Sequence, residues 1–127
     1  MIQMKNFNVV KESLRELGIK QGFDLYEKAT TEKLNSEDPL DLQWLSNYSS
    51  DWNDELEEDF DSFFQHMKEY QYAIDNEDIK SACSSLCEAM LYVGNIKNFF
   101  EFLKSDMIRL LRGESKTTDF QWPQFDE

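Results

Sequence analysis

The side chains best suited to nucleophilic, acid–base or metal chemistry are few in this chain: one histidine, His66, and two cysteines, Cys83 and Cys87. The cysteines are four residues apart, a spacing that places two ligands on one helix face. A structural zinc site needs four ligands, however, and a single histidine cannot complete it. Neither a phosphate-binding glycine run nor a Gly-x-Ser-x-Gly motif is present. We therefore predict no catalytic residue, no cofactor and no metal, and a protein that is not an enzyme.

Carboxylates are the abundant reactive groups, and one third of the chain holds a dense run of them. Between Lys33 and Lys68 there are ten acidic residues and no basic one, in a chain whose net charge is −13. The ten are Glu37, Asp38, Asp41, Asp51, Asp54, Glu55, Glu57, Glu58, Asp59 and Asp61. The run 51–61 lacks the glycine that a calcium loop needs at its sixth position. Glycoside hydrolysis needs two carboxyls held in a cleft, which acids on an exposed helix face do not supply.

Two interpretations of this acidic segment stay open. Like charges repel and lower the stability of the compact state, so their concentration favours a binding surface for a basic partner. The alternative is a solvated acidic face with no partner. In either case the segment is folded, because Trp44, Tyr48 and Trp52 lie among the acids and a disordered acidic tail would lack such residues.

Apolar residues recur at steps of three and four, which predicts an all-α fold: a single-domain bundle of five or six helices over residues 1–113. Gly18 is predicted to end the first helix, and Ser50 or Asp51 to cap the fourth. The predicted helices span 3–17, 21–34, 39–47, 52–74 and 79–112, the last either continuous or divided at Gly94. The tail, 114–127, carries three aromatic residues and is predicted to dock on the bundle.

Two further features concern location. No apolar segment follows a basic start, and no stretch approaches the length of a membrane span, so we expect a cytoplasmic protein. A reducing compartment would keep both cysteines as thiols.

The acids and aromatics together predict a partner-binding surface. The predicted partner-binding carboxylates are those of Asp51, Asp54, Glu55, Glu58 and Asp61. Tyr48 and Trp52 are predicted either to anchor the partner or to belong to the core.

In its size, its charge and the segment DWNDELEEDFD at 51–61, the chain resembles the immunity proteins of bacterial toxin systems. The likeness is to those that neutralise the nuclease domains of contact-dependent growth inhibition toxins and, more loosely, to colicin immunity proteins. It implies a cytoplasmic inhibitor that binds a cognate basic nuclease, such as an RNase or tRNase, and blocks its active site. Two other functions stay open: a phage nucleic-acid mimic that inhibits a restriction or CRISPR effector, and a non-catalytic adaptor or assembly subunit.

Overall fold

The computed structural model describes residues 6–27, 44–113 and 116–123. In these ranges the chain forms three helices, α1 (Asn6–Lys20), α2 (Trp52–Asp75) and α3 (Ile79–Arg112), and no strand. The predicted all-α class is therefore confirmed. The predicted number of helices is not, since three are found in the described residues instead of five or six. None of the described helices is long and apolar enough to cross a membrane.

Helices α2 and α3 form a long antiparallel hairpin. Helix α2 begins after Asp51, whose carboxylate accepts a hydrogen bond from the backbone N–H of Asp54 at 3.0 Å. A tight turn follows α2, with Glu77 in the left-handed region at φ 58°. Helix α3 then continues through Gly94 without a break and ends at Arg112, and the following Gly113 adopts φ 66°. The sequence patterns thus located both ends of the hairpin. Of the two possibilities for Gly94, the structure shows the continuous helix.

The end of α1 differs from the prediction. Gly18 is helical and buried, and the helix continues to Lys20. A Cβ at Gly18 would lie 3.2 Å from the ring and from the carbonyl oxygen of Phe23, so glycine here lets the following segment fold back against the helix. The left-handed residue is instead Gly22, at φ 99°.

The helices predicted over 21–34 and 39–47 are not found where the structure describes them. Residues 21–27 and 44–47 are turns and irregular chain, and the remaining parts lie outside the described residues. Tertiary contacts explain the difference: the backbone N–H groups of Leu45 and Ser46 donate to the Asp106 carboxylate on α3. A side chain thereby satisfies donors that helix formation would otherwise have satisfied.

The core lies at one end of the hairpin, where α1 and the segments 21–25 and 44–52 pack against the first turn of α2 and the last turns of α3. Two buried polar side chains donate hydrogen bonds there: the Lys11 ammonium to the Ser50 carbonyl at 2.7 Å, and the Gln21 amide to the Leu110 carbonyl at 2.8 Å. The apolar members of this core are Leu25, Trp44, Tyr48, Trp52, Leu103 and Leu110. The other end of the hairpin projects beyond this core.

The tail returns to the loop that follows α1. The Thr117 N–H donates to the Gln21 carbonyl at 2.7 Å, and the Thr118 hydroxyl donates to the Lys20 carbonyl at 2.6 Å. The Trp122 indole N–H donates to the Leu110 carbonyl. The described tail is therefore attached by polar contacts to α1, to the loop that follows it and to α3.

We expect Asp51→Ala to lower the midpoint of thermal unfolding, because α2 loses its cap. The bond from the Asp54 N–H, together with one from the Asn8 amide, holds the pKa of the Asp51 carboxyl below its ordinary value of 3.8. A lowered folded-state pKa means that the stabilisation is present above the ordinary pKa and is lost as the pH falls through the lowered one. Thermal melts from neutral to acidic pH should therefore show the difference between parent and variant shrinking in acid. Asp61→Ala, an exposed acid within the same helix, is the control. If the difference in melting temperature between parent and Asp51→Ala does not change with pH, the Asp51 carboxylate does not stabilise α2 as its cap.

Candidate protein-binding surface

The outer side of α2 carries a row of three carboxylates, those of Asp54, Glu58 and Asp61, which we call the outer acidic row. All three are exposed. They follow at steps of four and three, so neighbouring side chains lie about 5–6 Å apart on one face of the helix. The opposite side of α2 packs on α3, where Leu56 is fully buried. The row is consequently fixed on a rigid support and faces away from the hairpin contact.

These charges are not neutralised within the described part of the chain. Asp54, Glu55, Glu57, Glu58, Asp59 and Asp61 make no ion pair with any residue that the structure describes. The ion pairs that Arg15 and Lys97 make lie elsewhere: Arg15 binds Asp24 at 2.8 Å and Lys97 binds Glu101 at 3.5 Å. Among the described residues, therefore, these acids on the surface of α2 have no cation paired with them.

A cleft of about 340 Å³ lies beside the outer acidic row, between segment 45–47, α2 and α3. We call it the acidic cleft. Two carboxylates line it, those of Glu55 and Asp59, together with the amides of Asn95 and Asn98 and the ring of Phe102. Carboxylate and amide oxygens accept hydrogen bonds from guanidinium or ammonium groups, and a guanidinium also stacks on an aromatic ring. The cleft thus has the chemistry to receive an arginine or lysine side chain.

Asp106 holds one wall of the acidic cleft in place. Its carboxylate is fully buried and accepts hydrogen bonds from the N–H groups of Leu45 and Ser46 and from the Tyr48 hydroxyl, at 2.9–3.0 Å. Burial raises the pKa of the Asp106 carboxyl, and the hydrogen bonds that it accepts oppose that rise. Burial and the neighbouring carboxylate together raise the pKa of the Tyr48 phenol. These contacts fix the segment that faces Glu55 and Asp59 across the cleft.

The predicted partner-binding residues divide into two groups. Asp54, Glu55, Glu58 and Asp61 are exposed and lie together on α2. The other three serve the fold: Asp51 caps α2, whereas Tyr48 and Trp52 are each only 1% exposed. Of the two predictions for these aromatics, the core assignment is the one confirmed, because neither ring has surface to offer a partner.

Sequence reasoning missed several groups at this site. Asp59 belongs to the acidic run but is not among the predicted partner-binding residues, and its position one turn after Leu56 gives no hint of a cleft. Asn95 and Asn98 come from a helix forty residues later, and only the α2–α3 register brings them beside Glu55. Their proximity depends on tertiary structure and left no signal in local spacing.

The residues singled out for catalysis or metal binding lie apart from the acidic cleft. The His66 ring stacks on Tyr92, and its Nδ1 lies 3.0 Å from a Glu69 carboxylate oxygen. Cys83 and Cys87 are exposed, and the neighbouring Cys83 raises the pKa of the Cys87 thiol. No cluster of three or more possible metal ligands is found in the described ranges.

Fold and surface together define a small, acidic, all-α protein built on a long helical hairpin. The chain belongs to the family of unknown function DUF6853, whose profile matches residues 7–124. It is also similar to a functionally unknown protein from Neisseria meningitidis MC58 with a solved crystal structure. The two share 34% sequence identity, the likeness covers 95% of this chain and 99% of the other, and the TM-score is 0.87. No curated protein matches the sequence.

Proposed function

We propose that this protein is an immunity-type inhibitor that binds a basic nuclease toxin and neutralises it through the acidic side of α2. The observation that carries the proposal is the set of exposed carboxylates on a rigid helix that no described cation neutralises. A nuclease holds lysine and arginine side chains in a groove shaped for phosphates, and carboxylates at helical spacing can occupy such a groove.

Two parts of the surface have different roles in this proposal. The outer acidic row steers the partner during association and pairs with side chains at the rim of its groove, since complementary charge mainly raises the association rate. The acidic cleft receives one arginine, which Glu55 and Asp59 bind while Phe102 covers its guanidinium plane. The inhibitor then occupies the positions at which the nuclease binds the phosphates of its substrate.

Binding energy also needs apolar anchors, and Tyr48 and Trp52 cannot supply them from the core. Leu45 and Phe102 can, since they line the acidic cleft and remain 43% and 39% exposed. Interface hot spots are typically such central apolar groups surrounded by polar ones. We therefore assign the anchoring role to Leu45 and Phe102.

Affinity capture with three forms of the protein tests the proposal. The parent is compared with Asp54→Lys/Glu58→Lys/Asp61→Lys, which reverses the outer acidic row. The matched control, Asp75→Lys/Glu77→Lys/Glu88→Lys, reverses three exposed acids elsewhere on the hairpin. We expect the parent and the control to capture the same basic protein from cells that carry the cognate system, and the reversed variant to lose it. The purified partner should cleave RNA or DNA and should be inhibited by the parent.

Three outcomes would contradict the proposal. The first is capture of the same protein by the reversed variant. The second is a captured partner that is not basic, and the third is a basic partner without nuclease activity. A restriction or CRISPR effector as the partner would support the nucleic-acid-mimic function instead.

A further inference from the structure

The hairpin has an apolar side that nothing in the described structure covers, and we call it the apolar hairpin face. On α2 it contains Phe60, Phe64, Met67 and Ile74, and on α3 Ile79, Leu86, Met90 and Val93. Each set follows helical spacing and forms one row along its helix. The opposite side of the hairpin carries a groove lined by Glu69 and Tyr72 of α2 and by Ser81 and Ser85 of α3. Successive residues of an α-helix are 100° apart around its axis, and this spacing places both apolar rows on the side away from that groove.

Charge is absent from this face. Ten positions make up its two rows once Gln71 and Cys83 are included, and none is charged, in a chain with 31% charged residues. The outer acidic row and the acidic cleft occupy the other sides of α2. Two chains of net charge −13 could therefore approach through this face with their carboxylates pointing outward, where solvent and salt screen them.

We propose that the apolar hairpin face binds a second copy of this chain, so that two hairpins form a four-helix bundle. This inference is independent of the proposed inhibitory function, because it uses a different side of the hairpin.

The exposed area suits a dimer. The four large apolar residues of the α3 row, Ile79, Leu86, Met90 and Val93, are 47–67% exposed. On α2, Phe64 and Ile74 are 55% and 38% exposed. Since a large apolar side chain carries on the order of 200 Å², these six residues expose roughly 600 Å². That equals or exceeds the largest patch on a typical monomer, about 300–600 Å². With Phe60, Met67 and the flanking residues it approaches the roughly 800 Å² that each partner buries in a standard interface.

The shape of the face favours a copy over a single peptide helix. One helix would fill the groove between the two rows and leave the outer edge of each row in water. A second hairpin has two matching rows, and helices in such bundles pack side by side at small crossing angles. Gly94 borders the α3 row, and a Cβ there would meet nothing within 4 Å in this chain. Glycine inside a helix destabilises it relative to alanine. The contacts within the chain do not explain a glycine at position 94, whereas close approach of a helix from a second chain would explain it.

Sedimentation equilibrium of the purified parent over low to high micromolar concentrations tests the inference. We expect a reversible dimer, and we expect Met90→Glu and Leu86→Glu each to raise its dissociation constant at least about a hundredfold, because a carboxylate would be buried without a partner. Ser84→Glu, which adds the same charge to an exposed position on another side of α3, should leave dimerisation unchanged. Circular dichroism checks that each variant keeps its helices. Met90→Gln, which introduces a polar but uncharged side chain, should also raise the dissociation constant.

A parent that stays monomeric at every concentration would overturn the inference. So would a dimer that Met90→Glu and Met90→Gln leave intact, since its interface would then lie elsewhere.

Discussion

Asp106→Ala is expected to lower the free energy of unfolding by on the order of 3–5 kcal/mol, because each buried donor left without an acceptor costs about 1–3 kcal/mol. The variant removes the acceptor for the Tyr48 hydroxyl and for the N–H groups of Leu45 and Ser46. Tyr48 is buried, so water cannot replace the lost carboxylate at its hydroxyl. Urea unfolding monitored by circular dichroism measures the loss.

A double-mutant cycle shows whether the effect passes through these hydrogen bonds. Tyr48→Phe alone should cost about 1 kcal/mol, and it should cost close to nothing in the Asp106→Ala background, where the acceptor is already gone. Glu101→Ala, an exposed acid on the same helix, should change stability by less than about 0.5 kcal/mol. Strict additivity of Tyr48→Phe and Asp106→Ala would contradict the network.

Trp52→Ala is expected to destabilise the fold by about 3–5 kcal/mol, the range for removing a large aromatic side chain from a core. The Trp52 ring lies 5.3 Å from the rings of both Tyr48 and Phe99, and its indole N–H donates to the Asn47 carbonyl at 2.7 Å. The residue therefore joins the start of α2, segment 44–50 and α3 at one point.

Trp52→Phe keeps most of the packing and removes the N–H, so it should cost less than Trp52→Ala. Tyr72→Ala provides the matched control on the same helix, because Tyr72 is 73% exposed and the change should stay within about 0.5 kcal/mol. A Trp52→Ala variant as stable as Tyr72→Ala would mean that the core has been placed wrongly.

Local patterns predicted the hairpin well, because its helices repeat the same signal over many turns. Trp52, Leu56 and Phe63 continue one apolar row of α2, and Asp51 and Gly113 supply the cap chemistry at the two ends. The region before α2 was predicted less well. Phe23 and Trp44 suit a helix by spacing, yet their rings contact one another from irregular segments, at 5.3 Å. Helical spacing cannot distinguish a short helix from a loop whose aromatic residues enter a distant core.

The candidate binding surface, too, could be predicted from the sequence only in part. The exposed carboxylates Asp54, Glu58 and Asp61 could be chosen from the sequence because charge and helical spacing are both local properties. The burial of Tyr48 and Trp52 could not, since it depends on Asp106 and Phe99, about fifty residues away. An aromatic residue beside acids has the same sequence signature whether it anchors a partner or fills the core.

The α3 part of the apolar hairpin face is a helical row from Ile79 to Val93 in the sequence, and spacing alone does not show whether such a row packs inward or faces solvent. The structure places that row in water, because α2 contacts α3 along Ala82 and Ala89 instead. Small residues at the contact let the two helices approach closely, and the larger residues then lie outside it.

The central claim is that the outer acidic row binds a basic protein partner, and association kinetics with the captured partner test it most directly. The association rate constants of the parent, of Glu58→Lys and of Asp61→Lys are measured by stopped flow at low and moderate salt. For each reversal we expect association to be slower by about tenfold or more at low salt, with a flatter salt dependence, because electrostatic steering acts mainly on the association rate. Glu88→Lys should behave as the parent. If Glu58→Lys and Asp61→Lys also bind at the parent's rate and with its salt dependence, the row is only a solvated face and the claim is wrong.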